Sequence, residues 1–338
     1  MVVPSLLFIV SAGAIVFAGT RLSHHGDQIA ELTGLGRLWI GVVLMAAATS
    51  LPEVLTTMSA SWIEAPDLAA GNLFGAGLSN MLTLGLIDLL YRQKRVWRQA
   101  ALGHTLTAAL AMVLTALAAF FVLLRIDVVH LGVGLESAIL LMLYVLGMRL
   151  VFRQEDMARR QLERKAVVEG FVEAHHADVN HRGELRRAVI GFLIGALVLL
   201  MAAPLLAWSA ERIAEESGIT ATFIGTSLVA ITTSLPELVV SISAVRLGAF
   251  DLAVGNLFGS NAFNMAAFFF ADLAYREGGL LSAVSSTHAL TALWSIIMMN
   301  IGLMGIIYRA ERRFMFIEPD SLLMIVIYIL GLWLLFRG

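Results

Sequence analysis

The 338-residue chain has no cysteine, which excludes disulfides, thiolate metal sites and thiol catalysis. It is also poor in charge. Only 14% of its residues are Asp, Glu, Lys or Arg, against about 25% in ordinary soluble domains. With a net charge of −2 it has no basic surplus to recruit a nucleic acid. Neither a Gly-x-x-x-x-Gly-Lys loop nor a phosphorylatable-aspartate signature occurs, so no nucleotide is expected as a partner. What the chain has in abundance is apolar: 59% of residues, with a mean hydropathy of +0.85. That balance excludes a disordered chain, a coiled coil and a soluble enzyme. It leaves a polytopic protein whose first partner is the lipid bilayer.

A bilayer core takes about 20 apolar residues per helix. The sequence offers ten such runs: 3–20, 37–62, 67–91, 99–124, 130–152, 187–209, 219–246, 250–275, 282–308 and 320–336. They are too long for strands and do not alternate. The first lacks the basic flank of a signal peptide and is kept as a membrane helix. The expected organisation is a five-helix unit over 1–152, a linker over 153–186 and a second five-helix unit over 187–338. His175, His176, Asp178 and His181 lie in the linker and read as solvated residues. With both termini outside, 19 of the 23 basic residues fall on the cytoplasmic side. The linker is then cytoplasmic.

The chain repeats itself at an offset of 184 residues. Thr49-Ser50-Leu51-Pro52-Glu53 recurs as Thr233-Ser234-Leu235-Pro236-Glu237, and Gly71-Asn72-Leu73-Phe74-Gly75 as Gly255-Asn256-Leu257-Phe258-Gly259. Between 34–92 and 218–276, 27 of 59 positions are identical without a gap. Five helices is an odd number, so the second unit enters the membrane in the opposite sense. The expected fold is all-α: ten transmembrane helices as two inverted-topology repeats of five, with helices 2, 3, 7 and 8 broken around a central ion site.

Charge at mid-membrane is costly and functional by default. Two acids lie near the middle of their runs, Glu53 and Glu237, and they are mates in the repeat. No Lys, Arg or His lies at comparable depth, so the pair requires cations or protons. Pro52 and Pro236 interrupt their helices and free the carbonyls of Ala48 and Thr232, or near neighbours. Thr49, Ser50, Thr233 and Ser234 add hydroxyls; Asn72, Asn80, Asn256, Asn264 and Ser260 add neutral oxygens. For Asn72 and Asn256, interhelical hydrogen bonding is an equal alternative. An oxygen-only set with two carboxylates suits Ca2+, which takes six to eight oxygens. Its charge neutralises one divalent or two monovalent ions, the equivalence an exchanger needs.

These paired Thr-Ser-Leu-Pro-Glu and Gly-Asn-x-x-Gly-Ser-Asn motifs resemble those of the calcium/cation antiporter superfamily, and most of all its prokaryotic sodium/calcium exchangers. The resemblance covers all but the 153–186 linker. It implies that Glu53 and Glu237 bind Ca2+ and Na+ alternately. It also implies that Thr49, Ser50, Thr233, Ser234, Ser260, Asn80 and Asn264 are ligands, with Thr49 and Thr233 joining the glutamates around Ca2+. Ala46 and Ala230 match positions that offer backbone carbonyls, and helices 1 and 6 slide to switch access. No cofactor is implied, only the transported Ca2+ and Na+, in a prokaryotic plasma (inner) membrane. The chain departs from the pattern in three places. Ala48 and Thr232 replace glycine, Ala76-Gly77 replaces Ser-Asn in the first half, and Asn264 stands where many sodium exchangers carry aspartate. These changes weaken a monovalent site and leave the two glutamates intact.

Competing readings are a proton-driven antiporter for Ca2+ or another divalent ion, a cation channel, and an intramembrane enzyme using the glutamates as acid and base. No nucleophile or histidine pair accompanies the glutamates, which disfavours the last. Asp88–Arg92 and Asp272–Arg276 read as i, i+4 pairs at helix ends. His104 and His288 read as packing or interfacial residues one to two turns inside helices 4 and 9, and Phe268-Phe269-Phe270 as lipid-facing bulk.

Overall fold

A computed structural model describes residues 2–91, 102–130, 132–168, 181–217, 233–308 and 319–335. The fold is helical. In chain order the helices are α1 Val2–Thr33, α2 Arg37–Trp62, α3 Pro66–Leu90, α4 His104–Leu124, α5 Leu135–Val168, α6 His181–Ser217, α7 Leu235–Leu247, α8 Phe250–Ala274, α9 Thr287–Tyr308 and α10 Pro319–Leu335. A single turn, Leu280–Ala283, precedes α9. Two-residue strands, Val129–His130 and Val133–Gly134, pair antiparallel before α5.

Among the described residues, seven helices are long and apolar enough to cross a bilayer: α1 to α4, the Leu135–Met157 part of α5, the Arg182–Leu206 part of α6, and α9. Their outward faces carry exposed residues such as Val10, Leu123, Leu193 and Ile297, as a lipid-facing surface requires. Helix α10 contributes a shorter apolar stretch, Asp320–Trp333. Helix α8 has 25 residues, but Asn256, Ser260, Asn261 and Asn264 dilute its apolar character. It sits at the centre instead, packed by α2, α3, α4, α5 and α7, so these polar groups face protein rather than lipid. Helix α1 lies along α6 and α7; α9 packs on α3 and α4.

Several expectations are corrected. Helices 3 and 8 are not broken: α3 and α8 each run continuously for 25 residues. Helix 2 is also continuous, widened to a π-helix over Ile40–Met45, with Pro52 inside its α-helical part. The glycines in these helices permit close approach. A Cβ on Gly259 would stand 2.5 Å from the carbonyl oxygen of Val42, and one on Gly41 2.7 Å from that of Leu252. Backbone therefore meets backbone between α2 and α8, as small residues allow in membrane bundles. Helix α7 starts at Leu235 after a turn at Ser234, so Pro236 stands in its first turn, where its missing N–H costs nothing. Residues 218–232, including Ala230 and Thr232, lie outside the described residues.

Helix α1 extends 13 residues past the expected end at 20. Helix α5 continues to Val168 and α6 begins at His181, so much of the 153–186 stretch is helical. His175, His176 and Asp178 lie outside the described residues, as does the side chain of His181. Phe268 is fully buried against Phe74, ring centroids 5.3 Å apart, and is core rather than lipid-facing.

Candidate functional site

The repeat places each glutamate directly after a proline, one in α2 and one in the first turn of α7. Glu53 is 0% exposed and Glu237 1%. They lie within electrostatic reach of each other, and Glu237 is the charged neighbour that Glu53 feels. Ser50 Oγ donates to Glu237 Oε1 at 3.1 Å and ties α2 to α7. Among the described residues no cation pairs with either carboxylate. Both oxygens of Glu53 and Oε2 of Glu237 are buried without a hydrogen-bond partner. Removing such charges from water costs several kcal/mol each after relaxation, about 3–5 when a partner is lost. The pair is therefore stable only with cations or protons beside it.

Around it the neutral polar groups are ordered by hydrogen bonds between helices. The Thr49 hydroxyl lies 3.0 Å from the carbonyl of Met45, 3.4 Å from that of Ala46, 3.2 Å from Asn256 Oδ1 and 3.5 Å from Ser260 Oγ. A hydroxyl has one hydrogen to donate, so these oxygens exceed what it can satisfy. Asn80 Nδ2 donates to Asn261 Oδ1 at 2.8 Å, leaving Asn80 Oδ1 without a partner. Asn264 Oδ1 and Ser234 Oγ are likewise buried and unpartnered. Thr233, next to Ser234 in the chain, is fully buried. Carboxylate, amide and hydroxyl oxygens of this kind are the ligand types a hard cation takes.

Asn72 and Asn256 act as interhelical ties. Asn72 Nδ2 donates to the Glu53 carbonyl at 3.1 Å and to Thr57 Oγ1 at 2.9 Å; Asn256 Nδ2 donates to Ser241 Oγ at 3.1 Å. Thr57 and Ser241 are themselves 184 residues apart, a signal present in the sequence but not used.

Other contacts recur at that offset, each joining one half to the other. Ser137 Oγ, with the backbone N–H of Gly134, donates to Asp272 Oδ2, and Leu280 N–H donates to Asp272 Oδ1 at 2.7 Å. In the counterpart, Ser321 Oγ donates to Asp88 Oδ2 at 2.7 Å. The expected Asp272–Arg276 pair is corrected. Asp272 is 1% exposed and used by α5 and the 280 turn, while Arg276 stacks 3.9 Å over the ring of Trp62. Arg92 lies outside the described residues. His104 and His288 stand at the first turns of α4 and α9, not inside them. His104 Nε2 is 3.1 Å from Asp251 Oδ1, and His288 Nε2 is 3.5 Å from Asp67 Oδ1. Sequence reasoning missed both acids because each comes from the opposite half.

The model for the family described as sodium/calcium exchanger protein matches residues 3–153 and 187–337. The inner membrane protein YrbG of Escherichia coli strain K12 is 29% identical over 267 residues, covering 78% of each chain. The sodium/calcium exchanger MaX1 of Methanosarcina acetivorans is 26% identical over 288 residues, covering 77% of this chain and 79% of its own. Among solved structures, the sodium-calcium exchanger NCX_Mj soaked with 10 mM Na+ and zero Ca2+ superposes with a TM-score of 0.72 at 21% identity. That match covers 98% of this chain and 99% of the other and establishes the shared fold.

Proposed function

The chain belongs to the sodium/calcium exchanger protein family, and from that premise we propose that it is a secondary antiporter exporting Ca2+ in exchange for Na+ at the Glu53–Glu237 site. The observation that carries the proposal is the buried carboxylate pair, with three oxygens unpartnered and, among the described residues, no base to neutralise them. Ca2+ is held by the two carboxylates with Thr49 and Thr233. Ser50, Ser234, Ser260, Asn80, Asn264 and the carbonyls of Ala46 and Ala230 supply further oxygens to Ca2+ and Na+. Two negative charges accept one Ca2+ or two Na+, so the ions compete and the loaded site alternates between faces. A proton gradient in place of Na+ is the second reading; the replacement of Ser-Asn by Ala76-Gly77 in the first half favours it.

The energetics bear on the coupling. A thousandfold calcium gradient costs about 4 kcal/mol, and moving two charges against 100 mV costs about 4.6 more. One Na+ entering down a tenfold gradient and 100 mV returns about 3.7. Two Na+ fall short of that gradient and three exceed it. A protein with a weakened third position therefore sustains the smaller gradient, about a hundredfold.

The recurrence of three contacts at one offset (Asn72–Thr57 with Asn256–Ser241 within the halves, and the Asp–Ser and His–Asp pairs between them) supports an inverted two-fold of five helices per half. Residues 1–152 and 187–338 are then the repeats, and the bias of basic residues sets both termini outside an inner membrane with the 153–186 segment in the cytoplasm. The test is tracer Ca2+ exchange by reconstituted protein. Glu53→Gln and Glu237→Gln each abolish exchange while the protein elutes as a single folded species. Exchange surviving in the double variant refutes the assignment.

A further inference from the structure

The two halves differ near the site in a way that moves a polar group from one helix to another. Helix α8 continues its motif as Ser260-Asn261, where α3 has Ala76-Gly77. Helix α9 carries Ser295, where its counterpart α4 has Ala111. The first half lacks these side chains on α3, and the second half carries an added hydroxyl on α9, the helix that packs against α3.

The geometry joins the two changes. Ser295 is 1% exposed, and its hydroxyl stands 2.7 Å from the point a Cβ on Gly77 would occupy. Asn261 Oδ1 of α8 stands 3.9 Å from the same point. Any side chain at 77 would displace the serine. Three helices therefore bring neutral polar groups to Gly77: Ser295 from α9, Asn261 from α8, and Asn80 from α3, one turn along. Asn80 is oriented by its bond to Asn261, which turns its unpartnered Oδ1 away from that contact.

Such a wall has no carboxylate. Calcium sites draw on carboxylates to balance a double charge, and here both belong to Glu53 and Glu237. Amide and hydroxyl oxygens alone suit an ion of single charge. Building on the exchanger reading above, we propose that Ser295, beside Asn261 and Asn80, supplies a hydroxyl in place of the one absent at Ala76 and that this hydroxyl sets the affinity for the monovalent coupling ion but not for Ca2+.

The experiment uses full-length reconstituted protein and measures Ca2+ uptake against internal Na+ and, separately, against external Ca2+. Ser295→Ala is expected to raise half-saturating Na+ about three- to tenfold, the worth of one neutral polar contact. Half-saturating Ca2+ should stay within about twofold. Ala76→Ser in the Ser295→Ala background, which returns the hydroxyl to α3, should recover part of the lost Na+ affinity. Gly77→Ala, which crowds the Ser295 hydroxyl, should shift Na+ in the same direction as Ser295→Ala. Equal shifts for both ions, or none, overturn the role of Ser295, and so does a Ser295→Ala defect that Ala76→Ser leaves untouched. If these variants behave as wild type while Glu53→Gln is inactive, the serine assignment fails and the glutamate site stands. Wild-type uptake indifferent to Na+ overturns the serine assignment and sodium coupling together.

Discussion

Replacing Glu53 by glutamine keeps the shape of the side chain and removes one of the two charges at the site. Glu53 is fully buried, neither of its oxygens has a protein partner, and its charged neighbour is another acid. On the exchanger reading its charge is unsupported in the ion-free protein and engaged when Ca2+ binds. Loss of one partner from a buried ionic contact costs about 3–5 kcal/mol. At about 1.4 kcal/mol per decade, calcium affinity should fall by two to three and a half orders of magnitude. Stability without calcium should be kept or improved, because a like-charge contact is removed. The two effects separate in thermal denaturation of detergent-solubilised protein with chelator or with Ca2+. At a concentration 100-fold above its own Kd, Ca2+ stabilises wild type by about 2.7 kcal/mol; the variant, its Kd raised at least 100-fold, gains at most about 0.4. A variant with the wild-type calcium shift refutes the reasoning. So does one that is already destabilised in chelator, which would make Glu53 a structural residue.

Asn256→Ala removes the tie to Ser241 and the acceptor near Thr49, and should cost about 1–3 kcal/mol of stability, read as a lowered midpoint in chemical denaturation. Gly259→Ala places a methyl 2.5 Å from the Val42 carbonyl; with backbone on both sides it should cost at least about 1–3 kcal/mol and reduce the yield of monodisperse protein. Asp272→Asn turns an acceptor facing three donors into a group that itself donates, and should destabilise by about 3 kcal/mol in the same denaturation assay. Ser321→Ala, which leaves Asp88 without that hydroxyl, should lower stability by about 1 kcal/mol.

Much of this site was legible because charge inside an apolar run is conspicuous. Glu53 and Glu237 stand out in any window, and the 184-residue repeat pairs them before any coordinates are known. Their burial together and the absence of a base among the described residues follow the same logic. The glycines misled. In a linear reading, Gly71, Gly75, Gly255 and Gly259 suggest broken helices, yet α3 and α8 run through them. At Gly259 the missing side chain admits a neighbouring backbone. The extensions of α5 and α6 were hidden because their polar turns carry the composition of a linker while keeping helical hydrogen bonds. Asp272 was assigned to Arg276 because i, i+4 pairing is visible in sequence, whereas its actual partners come from α5 and the 280 turn. Phe268 looked like a lipid contact because periodicity shows how apolar a face is, not which neighbour covers it.

The most direct test is tracer Ca2+ uptake into proteoliposomes loaded with Na+ and diluted into Na+-free medium, run beside vesicles with a pH gradient and no Na+. The account predicts uptake that requires internal Na+, ceases when the Na+ gradient is collapsed, and is absent from Glu53→Gln protein. Uptake driven by the pH gradient alone contradicts sodium coupling, and no calcium movement under either gradient contradicts calcium as the substrate of the Glu53–Glu237 site.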